Sequence, residues 1–361
     1  MSLFTSPGKV AETKTSLPVE LSFGFYVRGW TLYFLEYVPG FLLLGGLALL
    51  ARRMARGGND SYCFLFAILL GMLFRHLCGV HASFEPGTRL YEIFWKAGII
   101  LLGSQMGLRS FREVGLTGFG LAGFEVIFTI ALTLFLTRLL KIPAPLRYLL
   151  AVGLGICGVS AVVALSATLR TDEEDTAYAV SVILLFGLLT LSFFPLIGWW
   201  LHLTGPDFGS WAGLSVDNTA EAVATGFVYS ETAGHYATIT KLCRNLFLDF
   251  ALLYFVQRAV REKLQGVAKV SFRMIWEHFP KFAIGLLVLS ALATFHFWEP
   301  EALSDLNHLY RWAFLFGFAG VGLRTDLGRL RRRGLKPLGL AFGIQSLTAI
   351  LMLVCVLLFL H

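Results

Sequence analysis

The stretch FGSWAGLSVDNTAEAVATGFVYSETAGHYATITKLCRNLFLD, Phe208 to Asp249, sets Asp217, Asn218, Thr219, Glu221, Lys241 and Arg244 among small and apolar residues. Ionisable groups are costly at bilayer depth and face partners or wet cavities there rather than lipid. Long apolar runs lie on either side, so the stretch reads as polar machinery held inside a membrane.

The composition agrees. The chain has 361 residues, 56% hydrophobic and 15% charged, with mean hydropathy +0.70. Soluble domains carry about a quarter charged residues. Apolar segments fall at about 32–51, 62–80, 91–107, 115–138, 147–169, 177–203, 209–229, 235–257, 280–298, 309–323 and 337–360. Their lengths suit spanning helices. An all-α polytopic membrane protein is expected, with about 9–11 transmembrane helices in one domain over 31–361. Residues 1–30 form an N-terminal cytoplasmic tail and an interfacial segment, without the pattern of a cleavable signal peptide.

The charge of +7 sits in the loops. Arg258, Arg261, Lys263, Lys269, Arg273 and Lys281 form one cluster, and Arg324, Arg329, Arg331, Arg332, Arg333 and Lys336 another, on the side that holds the N-terminal tail. The opposite side has mainly Arg52, Arg53, Arg56, Arg109 and Arg112. By the positive-inside bias the N-terminus is cytoplasmic and the C-terminus outside, in a bacterial inner (plasma) membrane. No water-exposed segment could supply a nucleic-acid surface. The five cysteines show no CxxC spacing, so neither metal nor disulfide is expected, and no cofactor. P-loop, HExxH, GxSxG and Rossmann patterns are missing, so an enzyme is not expected.

Two segments are unusual. In GLGICGVSAVVA (153–164), Gly153, Gly155 and Gly158 surround Cys157 and precede Ser160. Glycines interrupt a helix and free backbone N–H groups, and a half-helix starting near Gly158 would offer a positive end to an anion. Close helix packing by small residues is the structural alternative. In GLSVDNTAEAVATG (213–226), Ser215, Asp217, Asn218 and Thr219 are N-cap types, while Glu221 lies one turn further inside an apolar stretch. Each segment is long enough for two half-helices of about 15 Å. Re-entrant hairpins would enter from opposite faces and let their tips meet. The stretch 101–125 also resembles 316–345, sharing GLR, GL and GLA, with the two copies in opposite orientations. That is the arrangement of an inverted-repeat transporter.

Lys241 and Arg244 stand three apart on one helical face. Arg244 lies roughly 13 Å into its helix, too deep to snorkel cheaply. The pair either neutralises Asp217, Glu221 or Glu125, or forms the cationic wall of an oxyanion site.

The strings GICGVSAVVA, WAGLSVDNTAEAVATG and ATITKLCRNLFL together resemble the YeiH-like sulfate exporter family of conserved hypothetical membrane proteins. That family looks like a branch of the cation:proton antiporter and anion transporter group. The resemblance spans about 32–360 and implies an inverted-repeat secondary transporter. It places Cys157, Gly158 and Ser160 in the first discontinuous element, Asn218 and Thr219 in the second, and matches Lys241 and Arg244 to the family's basic pair. The family tends to show His-Asp-Thr-Ala-Gln where this chain has Asp217, Asn218, Thr219, Ala220 and Glu221, a more acidic site. The expected substrate is a small oxyanion such as sulfate or a sulfonate, bound by Cys157, Gly158, Ser160, Asn218, Thr219, Lys241 and Arg244. Asp217, Glu221 and Glu125 would couple protons or sodium. The alternatives are a cation/proton antiporter working through Asp217 and Glu221, or a membrane subunit without transport of its own. Expected partners are the anion, the coupling ion, the bilayer and a second copy in a homodimer.

Overall fold

The computed structural model describes residues 19–55, 62–262, 280–325 and 335–360, with side chains from 36 in the first range and from 336 in the last. The tail before residue 19 and the basic residues at 263–273 and 329–333 lie outside the described residues.

All described elements are helical. In chain order they are α1 (Val19–Ala55), α2 (Tyr62–Cys78), α3 (Glu85–Thr88), α4 (Tyr91–Leu102), α5 (Leu108–Leu139), α6 (Ala144–Gly155), α7 (Val159–Leu169) and α8 (Glu173–Trp200). Then come α9 (Gly205–Ser215), α10 (Thr219–Tyr229), α11 (Glu231–Asn245), α12 (Leu248–Arg261), α13 (Lys281–Thr294), α14 (Pro300–Arg324) and α15 (Leu335–Phe359). The stretches Glu36–Ala55, Leu108–Leu139, Glu173–Trp200 and Lys336–Phe359 are each long and apolar enough to cross a bilayer. Such helices satisfy their own backbone groups, which lipid cannot. The chain is an all-α polytopic membrane protein.

Ion pairs fix the direction of the helices. Arg138, near the end of α5, lies 3.6 Å from Glu262 just beyond α12, so both ends share one face. On the other face, Arg311 of α14 pairs with Glu231 at the start of α11, and Tyr236 donates to Glu113 near the start of α5. Thus α5 and the α11–α12 pair run parallel from face to face.

The helices form two bundles. α1, α2, α4, α13 and α14 pack together through rings such as Phe64, Phe314 and Phe318, with Phe64 and Phe318 centroids 5.5 Å apart. α5 to α12 and α15 form the second bundle. Phe227 of α10 bridges them, its ring 5.7 Å from Phe64 and 5.5 Å from Phe314.

Within the second bundle, α6–α7 and α9–α10 are helical hairpins. Gly153 packs against Val162, although a continuous helix would hold those positions about 13 Å apart. Gly209 and Gly226 both lie against Ala233, and Tyr229 at the end of α10 donates to the Leu203 carbonyl just before α9. α6 and α7 pack on α12, whereas α9 and α10 pack on α11. The two hairpins therefore enter from opposite faces.

Local sequence explains the turns. Pro206 opens α9, and its N-cap Thr204 accepts from the Asp207 amide at 3.3 Å. Extended Val216 and Asn218 end α9 and start α10. Ser215, Asp217 and Asn218 there have side chains that compete with helix hydrogen bonding. At the other tip Gly158 has φ 69°, a conformation that favours glycine.

Candidate transport site at the meeting of the hairpin tips

The two tips touch. A Cβ built on Gly158 would lie 2.9 Å from Asn218 Cα and 3.0 Å from its amide nitrogen. Only a glycine permits this approach. The tips bring Cys157, Gly158, Asp217, Asn218, Thr219 and Glu221 to one place, and the middle of α11 adds Lys241 and Arg244 beside them.

Lys241 and Arg244 are fully buried. Lys241 Nζ donates to the carbonyls of Ile156 at 2.8 Å and Val216 at 2.7 Å, one at each tip. Arg244 donates to Gly155 at 3.1 Å and to Leu154 on the first hairpin. On the second it reaches Leu214 at 3.0 Å and Val216 at 3.2 Å. Its guanidinium also lies 2.7 Å from Glu125 Oε2 and 3.2 Å from Asp217 Oδ1.

The orphan carbonyls that close α6 and α9 carry the negative ends of those half-helices. The basic pair satisfies them and neutralises two carboxylates together. Backbone carbonyls take two donors of Lys241, and carbonyls together with Glu125 and Asp217 take those of Arg244. Sequence shows the charges but not the two sets of helix-terminal carbonyls that the fold aims at them.

The opposite ends of the breaks differ. Gly158 is the N-cap position of α7 and Asn218 that of α10, and neither supplies a side-chain cap. Ser160, in the first turn of α7, is exposed and Asn218 half-buried, whereas Cys157 and Thr219 are buried. Asn245 donates to Thr219 Oγ1 at 3.1 Å. Of the expected binding set, Gly158, Ser160, Asn218 and Thr219 therefore sit at the positive half-helix ends.

The expected coupling acids are all buried. Glu125 accepts from Thr129 at 2.9 Å as well as pairing with Arg244. Glu221 fills the notch left by the missing side chain of Gly187 in α8. Its Oε2 has no hydrogen-bond partner among the described residues, and neither cation pairs with it.

Sequence reasoning missed Gly187, Asn245, Gln345 and the Thr129–Thr348 contact at 3.1 Å that joins α5 to α15. Gln345 had a signal: it closes the second copy of the internal similarity as Glu125 closes the first. Both reach the crossing, Glu125 at Arg244 and Gln345 beside Asp217.

Among known proteins, the family model described as conserved hypothetical protein 698 matches residues 39–341. A UPF0324 membrane protein of Nitratidesulfovibrio vulgaris is 36% identical, covering 97% of this chain and 99% of the relative. Another from Pseudomonas aeruginosa is 31% identical over 85% of this chain and 90% of its own length. One from Clostridium tetani is 26% identical over 79% and 86% respectively. No solved structure matches. With so much of its length matched, the chain belongs to the conserved hypothetical protein 698 family, alongside the UPF0324 membrane proteins.

Proposed function

We propose that this protein is a secondary active transporter that moves a small oxyanion, such as sulfate or a sulfonate, across the bacterial inner membrane. The observation that carries the reading is the contact between two hairpin tips whose negative ends are saturated by Lys241 and Arg244 while their positive ends lack side-chain caps. Uncapped helix N-termini bind anions through backbone N–H groups and the helix dipole. The anion would rest against Gly158, Ser160, Asn218 and Thr219, with Cys157 behind them. Glu221, and Asp217 and Glu125 when released from Arg244, would carry the coupling proton or sodium. The antiparallel course of α4 against α14, where Gly98 meets Phe314 and Tyr91 meets Gly320, supports an inverted repeat, and alternating access would come from one bundle moving against the other. At the described helix ends Arg138, Arg258, Arg261 and Arg324 favour a cytoplasmic face at the end of α5. That leaves the C-terminus outside.

A cation/proton antiporter is the second reading. It is favoured by Glu125, Asp217 and Glu221 outnumbering Lys241 and Arg244 in the buried cluster. Uptake into proteoliposomes separates the two. The first reading expects flux of labelled sulfate or taurine that Ser160→Asp abolishes by placing a negative charge at the α7 terminus. Sodium- or proton-driven exchange without any anion, unaffected by Ser160→Asp, refutes it. Loss of every flux with a stable co-purifying partner would instead favour a non-transporting subunit.

A further inference from the structure

The second bundle has a cleft of about 260 Å³ between α8 and α15. Phe186, Phe193, Phe194 and Phe342 supply its walls, and the tip of the second hairpin forms its floor. Phe193 and Phe342 are 56% and 51% exposed, so the mouth opens sideways between two spanning helices. A guest would reach it through the hydrocarbon layer, and a hydrated inorganic ion is ill suited to that route.

The floor has a different character. Ser215, Asp217 and Gln345 line it, and all are at least nine-tenths buried. Ser215 Oγ, Asp217 Oδ2 and Gln345 Oε1 have no hydrogen-bond partner among the described residues. The Gln345 side chain stands beside Asp217 without reaching hydrogen-bond geometry on Oδ2. Buried acceptors left unpaired are costly, and native proteins rarely tolerate three together. Directly behind the cleft wall at Gly187 lies Glu221, whose Oε2 is also without a partner. Three carboxylates and two cations leave this region one negative charge in excess when all are ionised.

We propose that the cleft binds a primary alkyl- or arylalkyl-ammonium ion. Its three N–H donors would meet Ser215 Oγ, Asp217 Oδ2 and Gln345 Oε1, as an ammonium's three donors allow. Its apolar body would lie along the phenylalanine walls, which also attract cations through their ring faces. Such a guest neutralises the excess charge and partitions into lipid, matching both the floor and the mouth. This binding site shares Asp217 with the proposed coupling acids but uses neither Ser160 nor the backbone N–H groups at the starts of α7 and α10, so ammonium binding can fail while anion flux persists.

The test uses the full-length protein in lipid nanodiscs, with hexylammonium and its neutral counterpart hexanol as probes. Hexylammonium should raise the unfolding temperature saturably and bind measurably in calorimetry, while hexanol does neither. Asp217→Asn should abolish the effect, but Asp217 also pairs with Arg244 and that variant can fail to fold. Gln345→Leu and Phe342→Trp therefore provide separate tests. The first should weaken binding about tenfold or more, as expected for a hydrogen bond to a charged group, and the second should block it by filling the cleft. Equal responses to hexanol and hexylammonium, or full affinity in both Gln345→Leu and Phe342→Trp, would overturn the proposal.

Discussion

Removing the guanidinium of Arg244 should detach both hairpin tips at once. In Arg244→Met the carbonyls of Leu154, Gly155 and Leu214 lose the side-chain donor they share, whereas Val216 keeps Lys241 at 2.7 Å. Glu125 and Asp217 lose their cation in the same step. Each orphaned carbonyl costs about 1–3 kcal/mol if it stays dry. Breaking a buried ion pair by removing one partner costs about 3–5 kcal/mol. These contributions overlap, because freed carboxylates take up protons and parted tips admit water. The expected loss is therefore about 3–5 kcal/mol, or a fall of roughly 10 °C in the unfolding midpoint. The effect is read by thermal unfolding in lipid nanodiscs and by amide hydrogen exchange across 154–158 and 214–218. Arg244→Met with Glu125→Gln should be less destabilised than the sum of the single variants, since the second change removes a carboxylate the first has stranded. Arg109→Ala is the control, because its pair with Glu113 is exposed. An Arg244→Met protein with wild-type midpoint and unchanged exchange at both tips would refute the role given to this residue.

Other outcomes follow from the same geometry. Gly158→Ala combines a positive φ with a Cβ 2.9 Å from Asn218 Cα. It should cost about 1–3 kcal/mol of backbone strain in addition to separating the tips, and transport should fall even where the folded protein is recovered. Glu221→Gln removes a buried carboxylate that no cation pairs with. It should leave the unfolding midpoint equal or higher while uncoupling flux from its driving ion in proteoliposomes. Gly187→Ala pushes a methyl group into the Glu221 carboxylate. The variant should lower the midpoint, with recovery in Gly187→Ala combined with Glu221→Ala. Phe227→Ala removes the aromatic bridge between the bundles. A loss of about 3–5 kcal/mol is expected from a buried phenylalanine, measured by the same unfolding assay.

Much of the fold was legible because the bilayer leaves so few choices. Apolar runs of spanning length announce helices, and the glycines at 153–158 and the cap residues at 215–219 announce the two breaks. The position of the basic pair was legible too, since its depth follows from counting turns. Its role was not. The charges of Lys241 and Arg244 are visible in the chain, but their partners are largely backbone carbonyls, which every residue carries and no sequence distinguishes. Ser215 read as a cap residue, yet its hydroxyl faces the cleft without a partner. Gln345 and Gly187 became significant only when α15 and α8 were placed against the second tip, because their meaning comes from contacts distant along the chain.

One rigid helix, α11, grips loops that arrive from opposite sides of the membrane. Pulling either loop therefore drags the other through Arg244 and Lys241, like two ropes tied to a single cleat. In the proposed transport cycle, a stroke that opened the crossing first to one compartment and then to the other would carry both loops and their cleat as one body. The slip plane would then fall at Phe227, whose ring meets those of Phe64 and Phe314.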